Sequence, residues 1–174
     1  MSHKVEKDWE YKGLRCVVLA LEMGHRCGYV GISESHPLYK IVYSTPTPPS
    51  LKDKMEKVKE GPIGKRGIID VIGASADLNN LKVGLLFDVH GGITYSDGSD
   101  TYPVPDSHLW WFGFDCAHYG DAKDESIMSE KYLEIERKYG FREGIIRSLS
   151  YCISECESLA EQLEEIKIIE EGRS

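Results

Sequence analysis

Residues 145–166 read IIRSLSYCISECESLAEQLEEI and carry the most regular pattern in the chain. Apolar side chains recur there at alternating intervals of three and four residues, which places them on one face of an α-helix: they are Leu149, Cys152, Cys156, Leu159, Leu163 and Ile166. We therefore predict an amphipathic C-terminal helix over residues 142–170. The same spacing is typical of a coiled-coil seam, so a homodimer through this helix is a second prediction.

The residues before this helix favour β-strands. Residues 14–21 (LRCVVLAL) and 27–32 (CGYVGI) are short apolar runs that predict a hairpin. Further strands are expected over residues 81–89, 93–95 and 109–116, with a tight turn at Gly91 and Gly92 and with LWWFGFDC at the centre of the sheet. Strands first and one long helix last indicate an α+β fold, in which an antiparallel sheet packs against the long C-terminal amphipathic helix.

The length of 174 residues suits a single domain over residues 1–174. Residues 44–66 contain several prolines and lysines, and we expect a loop or arm there, because proline interrupts helices and central strands. A short polar helix over residues 52–60 and a strand or helical turn over residues 68–72 are weaker predictions.

Charge and hydropathy limit the partners. The chain has 21 Lys+Arg against 29 Asp+Glu, a net charge of −8, which disfavours general attraction to duplex nucleic acid. No apolar run approaches the roughly 20 residues of a membrane span, and the start MSHKVEKDWEYKG lacks a signal-peptide core. We predict a cytoplasmic protein with no membrane partner, whose five cysteines are thiols.

One group of residues suits a ligand pocket. Glycines let backbone N–H groups approach an anion, aromatic faces stack on bases, and Asp or His fixes hydroxyl groups and ring nitrogens. The predicted ligand-binding residues are His90, Gly91, Gly92, Tyr95, Trp110, Trp111, Asp115 and His118, and the set favours a small nucleotide-like ligand. The alternative is structural: Trp110, Phe112 and Phe114 fill one face of the sheet and Trp111 the other.

Catalytic and metal sites are the competing interpretations. A hydrolase would use His90, Asp115, Cys116 and His118, with or without a metal, and His90 rather than His118 would be the base for a Cys116 nucleophile. His25, Cys27, Cys116 and His118 form a weak zinc pattern, because their one-residue spacings differ from the usual ones. Asp115, Asp121 or His90 as a substitute ligand would give a hydrolytic metal site with an open water position instead. We expect no cofactor, and the common hydrolase, NTPase and dinucleotide-binding motifs are absent.

Several strings together resemble a family of small bacteriophage- and prophage-encoded proteins. They are HRCGYVG (25–31), HPLY (36–39), VHGGITY (89–95), WWFGFDCAH (110–118) with Gly120 and Asp121, and ECESLAEQL (155–163). The resemblance implies a phage accessory protein of the bacterial cytoplasm, a class in which inhibitors of host defence are common. We expect a binder that sequesters a nucleotide-like defence signal. The alternatives are the hydrolase and a protein inhibitor of a host factor, acting through its Pro-rich arm or acidic helix.

Overall fold

The computed structural model describes residues 2–53, 81–141 and 143–171. The strand or turn expected at 68–72 lies outside the described residues, as do most of the predicted helix 52–60 and residues 54–66 of the predicted arm. The described part of that arm contacts the rest of the protein, because Thr47 donates a backbone hydrogen bond to Leu81 O at 2.8 Å. Residues 49–53 of the arm are helical.

The main element is a five-stranded antiparallel sheet in the order β1-β2-β3-β5-β4. Its strands are β1 (His3–Tyr11), β2 (Leu14–Leu21), β3 (Arg26–Ile32), β4 (Tyr95–Asp97) and β5 (Trp110–Asp115). The predicted β2–β3 hairpin is confirmed. The predicted central position of β5 is wrong, since β3 is central and β5 pairs with the short edge strand β4. Strand β1 was not predicted from the sequence. It is an edge strand whose residues are mostly exposed, so it carries no apolar alternation.

The remaining elements lie around this sheet. They are two 3-10 turns (Val83–Leu86 and Glu125–Ile127), α1 (Glu130–Tyr139), a parallel pair formed by β6 (Asp121–Ala122) and β7 (Ile145–Ile146), and α2 (Leu149–Glu171). The strand predicted over 81–89 is wrong, because Val83 and Gly84 donate backbone hydrogen bonds to Thr45 O and Tyr43 O and the chain then turns. None of the helices in the described ranges has the length and apolarity to cross a membrane.

Helix α2 begins seven residues later than predicted. Strand β7 occupies part of the preceding segment, and Ser148 caps the helix by accepting a hydrogen bond from the Tyr151 N–H at 3.2 Å. This late start places Tyr151 in the first helical turn, beside the turn at Gly91 and Gly92.

Helix α2 covers one face of the sheet with its apolar stripe, as the α+β prediction requires. Cys152, Cys156, Leu159 and Leu163 are fully buried in one cluster with sheet residues that include Phe112. Because the apolar stripe is buried against the sheet of the same chain, it no longer indicates an interface with a second copy. The homodimer itself remains a prediction.

Gly28 lets the helix approach the centre of the sheet. A Cβ atom at this position would lie 2.4 Å from the Phe114 ring and 2.7 Å from Cys156 Sγ. These distances are far below van der Waals contact, so a side chain there would separate helix from sheet.

The opposite face of the sheet has a smaller core of its own. Trp111 is fully buried there with Val17, Leu19 and Tyr29, and Val104 of the β4–β5 connection covers the cluster. The face of the sheet opposite α2 is therefore covered by protein at this cluster and is not exposed to solvent there.

Candidate functional sites

The predicted ligand pocket separates into two places at opposite ends of β5. Trp110 begins this strand and Asp115 ends it, five residues apart, which is about 17 Å of extended chain. His90, Gly91 and His118 lie beyond the Asp115 end. The first site, which we call the histidine cluster, consists of His90, Asp115, His118, Asp121, Arg147 and Tyr151; the second, the tryptophan groove, surrounds Trp110.

His90 is held between two hydrogen-bonding groups. Its Nε2 lies 2.8 Å from Asp121 Oδ2, and its Nδ1 lies 3.0 Å from the Tyr151 hydroxyl. Its backbone N–H donates to Glu155 Oε2 at 2.7 Å. The ring is thus fixed in position and orientation with only about a tenth of its side chain exposed.

Asp121 is the acceptor around which the cluster is built. Its side chain is 2% exposed and accepts hydrogen bonds from His90, from Arg147 Nε at 2.7 Å and from the His118 N–H at 3.0 Å. Burial by itself raises the pKa of Asp121, but the hydrogen bonds from Arg147 and His90 outweigh it and hold the pKa below its ordinary value. The carboxylate is therefore ionised at neutral pH.

An ionised Asp121 determines the proton arrangement at neutral His90. The carboxylate only accepts, so neutral His90 carries its proton on Nε2 and its Nδ1 accepts the hydrogen bond from the Tyr151 hydroxyl. Burial, followed by the nearby Glu155 charge, raises the pKa of Tyr151, so the hydroxyl keeps its proton. The result is a carboxylate–imidazole–hydroxyl chain, the arrangement used for general base catalysis.

A second histidine flanks His90. The ring centres of His118 and His90 are 5.6 Å apart, and His118 Nε2 lies 3.7 Å from Asp115 Oδ1. That nitrogen is buried and has no hydrogen-bond partner among the described residues, although about a third of the side chain is exposed. A protonated His118 would be attracted to Asp115, so the pair suits a proton donor.

The glycine turn fits against His118. Gly91 has φ +66, and a Cβ there would lie 1.8 Å from His118 Nε2. Gly92 donates its backbone N–H to Val89 O at 2.9 Å, which closes the predicted tight turn. A side chain at Gly91 would therefore require the His118 ring to move, so the turn and this ring pack directly against each other.

Cys116 does not join the cluster. Its Sγ lies 3.6 Å from Cys152 Sγ on the helix-covered face of the sheet, and the residue is 2% exposed. The hydrogen bond with Cys152, together with burial, raises the pKa of the Cys116 thiol far above its ordinary value. Cys116 thus lies apart from the other predicted catalytic residues, and a buried protonated thiol is a poor nucleophile.

The weak zinc set is not assembled either. Cys27 belongs to the small core around Trp111, whereas Cys116 lies on the helix side of the same sheet. Burial lowers the pKa of His25 and raises that of Cys27 to about 12. The parts of the chain that the structure describes contain no group of three or more His, Cys, Asp or Glu side chains placed to hold a metal ion.

The tryptophan groove is an open cleft of about 490 Å³ where the loop before Ile41 meets the start of β5. Trp110 and Tyr39 are half-buried in its wall, and the Trp110 indole donates to Ile41 O at 3.2 Å. The backbone of Gly98 lies against the Trp110 ring, since a Cβ there would be 3.1 Å from Cε3. The ring is thus anchored by its nitrogen while part of its surface remains open.

Charged groups form the rim of the groove. Lys40 Nζ lies over the Tyr39 ring at 5.3 Å, and His108 Nδ1 lies 3.6 Å from Asp100 Oδ1. Lys40 and His108 have φ +62 and +52, a left-handed conformation that is uncommon outside glycine. Asp97 completes the rim. Two residues held in an uncommon conformation at one cleft are a reason to look for function there.

Trp111 and Tyr95, two of the predicted ligand-binding residues, lie in neither site. Trp111 is 0% exposed and its indole donates to Ser107 Oγ at 3.0 Å. Tyr95 packs edge-on against Tyr29 and Tyr102. A ligand would have to open the smaller core to reach the Trp111 ring, whereas the partly exposed Tyr95 packs at the edge of that core.

Several site residues were not found from the sequence. Asp121 is part of the resemblance motif and was predicted only as an alternative metal ligand, whereas Tyr39 ends the HPLY string and had no predicted role. Tyr151 and Arg147 had none, because Tyr151 lies outside the apolar stripe of α2 and Arg147 precedes the helix.

Comparison with known proteins gives no relative for this chain. No protein-family profile, no curated protein and no solved structure matches it.

Proposed function

We propose that the protein binds a small nucleotide-like ligand in the tryptophan groove. The observation that carries this proposal is the partly exposed Trp110 side chain, fixed by its hydrogen bond to Ile41 O, in a cleft within the usual volume range of ligand sites. Stacking of a base on such a ring contributes about 1–3 kcal/mol.

The rim matches the other parts of a nucleotide. The Asp97 and Asp100 carboxylates are acceptors for ribose hydroxyl groups, and Lys40 and His108 are donors for a phosphate. Two carboxylates against one lysine favour ligands of low phosphate charge, such as a nucleoside monophosphate or a cyclic dinucleotide, over a triphosphate.

The resemblance to phage-encoded proteins supports a biological setting for such a binder. We propose that it acts in the bacterial cytoplasm and sequesters a nucleotide signal of the host defence. This role needs tight binding without turnover of the ligand at the groove.

Isothermal titration calorimetry tests the proposal with AMP, ATP and a cyclic dinucleotide as probes. We expect one site per chain that prefers AMP or the cyclic dinucleotide to ATP. Lys40→Gln should weaken binding about tenfold, equivalent to about 1.4 kcal/mol. The matched control is Lys131→Gln, since Lys131 lies over the Tyr132 ring at 5.5 Å on α1, away from the groove.

Trp110→Leu should weaken binding by at least as much, and thermal unfolding of the variant shows whether the fold is kept. No heat with any of the three probes, or equal loss in Lys40→Gln and Lys131→Gln, would contradict the proposal. If the protein binds a host protein and none of the three nucleotides, the inhibitor alternative is favoured.

A further inference from the structure

We propose that the histidine cluster is a second, catalytic site, at which Tyr151 and His118 hydrolyse a small phosphodiester. It shares no residue with the tryptophan groove, so the two proposals stand or fall separately. The inference rests on the convergence of three segments, which bring Tyr151, His90 and His118 together.

The two candidate proton carriers lie on either side of one imidazole. The Tyr151 ring centre is 5.5 Å from that of His90, and the His118 ring centre is 5.6 Å from it. Asp121 fixes His90 through a 2.8 Å hydrogen bond, and Arg147 lies with its guanidinium carbon 5.0 Å from the Tyr151 ring centre. Gly91 is exposed beside them, so the cluster opens to solvent.

The hydrolytic step uses water as its second reactant. As water attacks phosphorus, its proton passes to the Tyr151 oxygen while the Tyr151 proton passes to His90 Nδ1. A protonated His118 gives its proton to the leaving oxygen as the phosphorus–oxygen bond breaks. The products are a phosphomonoester and an alcohol, and solvent then returns His90 and His118 to their starting protonation states.

The local charges disfavour a phosphomonoester more than a phosphodiester. Asp115, Asp121 and Glu155 supply three carboxylates, whereas Arg147 is the guanidinium that pairs with Asp121. A phosphodiester carries one negative charge and a phosphomonoester up to two, so repulsion by the carboxylates disfavours the monoester more. His118 in its protonated form and the N-terminal end of α2 offset part of this repulsion for a diester.

Release of nitrophenolate from bis(4-nitrophenyl) phosphate by the full chain tests the proposal. We expect turnover by the wild type, and a loss of about a hundredfold or more in kcat with little change in KM for both Tyr151→Phe and His118→Gln. His3→Gln should leave kcat unchanged, because His3 lies on β1 and packs against Tyr102.

Two results would overturn the proposal. One is a wild-type rate no higher than that of buffer near neutral pH. The other is a kcat that Tyr151→Phe and His118→Gln leave within about twofold of the wild type, far from the loss expected on removal of a general acid or base. Because Tyr151→Phe removes only one oxygen, unchanged thermal unfolding separates loss of chemistry from loss of fold. AMP binding in Tyr151→Phe reports on the groove independently.

Discussion

Replacing Gly91 by alanine is the sharpest structural perturbation of the histidine cluster, and Gly92 provides the matched control. Both residues have positive φ, +66 and +82, so alanine at either position costs about 1–2 kcal/mol for the left-handed backbone. They differ in surroundings. A Cβ at Gly91 would lie 1.8 Å from His118 Nε2, whereas one at Gly92 would have no atom within 4 Å.

The contact at Gly91 should add an overpacking cost of about 1–3 kcal/mol. We therefore expect Gly91→Ala to lower the free energy of unfolding by about 2–5 kcal/mol and Gly92→Ala by about 1–2 kcal/mol. Urea denaturation at constant m-value measures both. Equal destabilisation of the two variants would refute the packing of His118 against the turn.

Three further predictions concern the core and its charges. Asp121→Asn should lower the free energy of unfolding at pH 7 by about 1–3 kcal/mol, because the amide nitrogen that replaces one buried carboxylate oxygen cannot accept the hydrogen bonds that Asp121 now receives. Since the pKa of Asp121 is depressed in the folded state, its stabilisation is present above about pH 3.9 and is lost as pH falls through the lower folded-state pKa; urea titrations between neutral and acid pH should show a flatter dependence in the variant. Gly28→Ala should lower the free energy of unfolding by about 1–3 kcal/mol through its contact with the Phe114 ring, and an unchanged thermal midpoint would contradict that packing. Cys116 should react with a thiol reagent only as fast as the protein unfolds, and rapid labelling of the native protein would show that the thiol is accessible.

The fold was predictable where one periodicity covers a whole element. The stripe of α2 and the apolar runs of β2 and β3 required burial, and they are buried. The residues around Val83 have an equally apolar composition, but hydrogen bonds to Tyr43 and Thr45 turn them into a 3-10 element. Tyr43 and Thr45 lie about 40 residues earlier in the chain, so a pattern read over a few neighbouring residues cannot reveal these hydrogen bonds.

The sites were predictable only in part, for a related reason. Residue type correctly selected His90, Gly91, Asp115 and His118 as neighbours, because the turn and the end of β5 are both marked by short motifs. The same criterion placed Trp110 in their pocket, since it ignores the length of an extended strand. Tyr151 depends on how α2 is rotated against the sheet, which tertiary packing decides.

The most direct test of the central claim is the indole region of a ¹H–¹⁵N spectrum during an AMP titration. The chain has three tryptophans, Trp9, Trp110 and Trp111, and hence three indole N–H signals. Binding in the tryptophan groove predicts that the Trp110 signal moves most, while that of the fully buried Trp111, hydrogen-bonded to Ser107, moves little. Saturating AMP that shifts none of the three, or that shifts the signals of the histidine cluster and leaves Trp110 in place, would contradict the account.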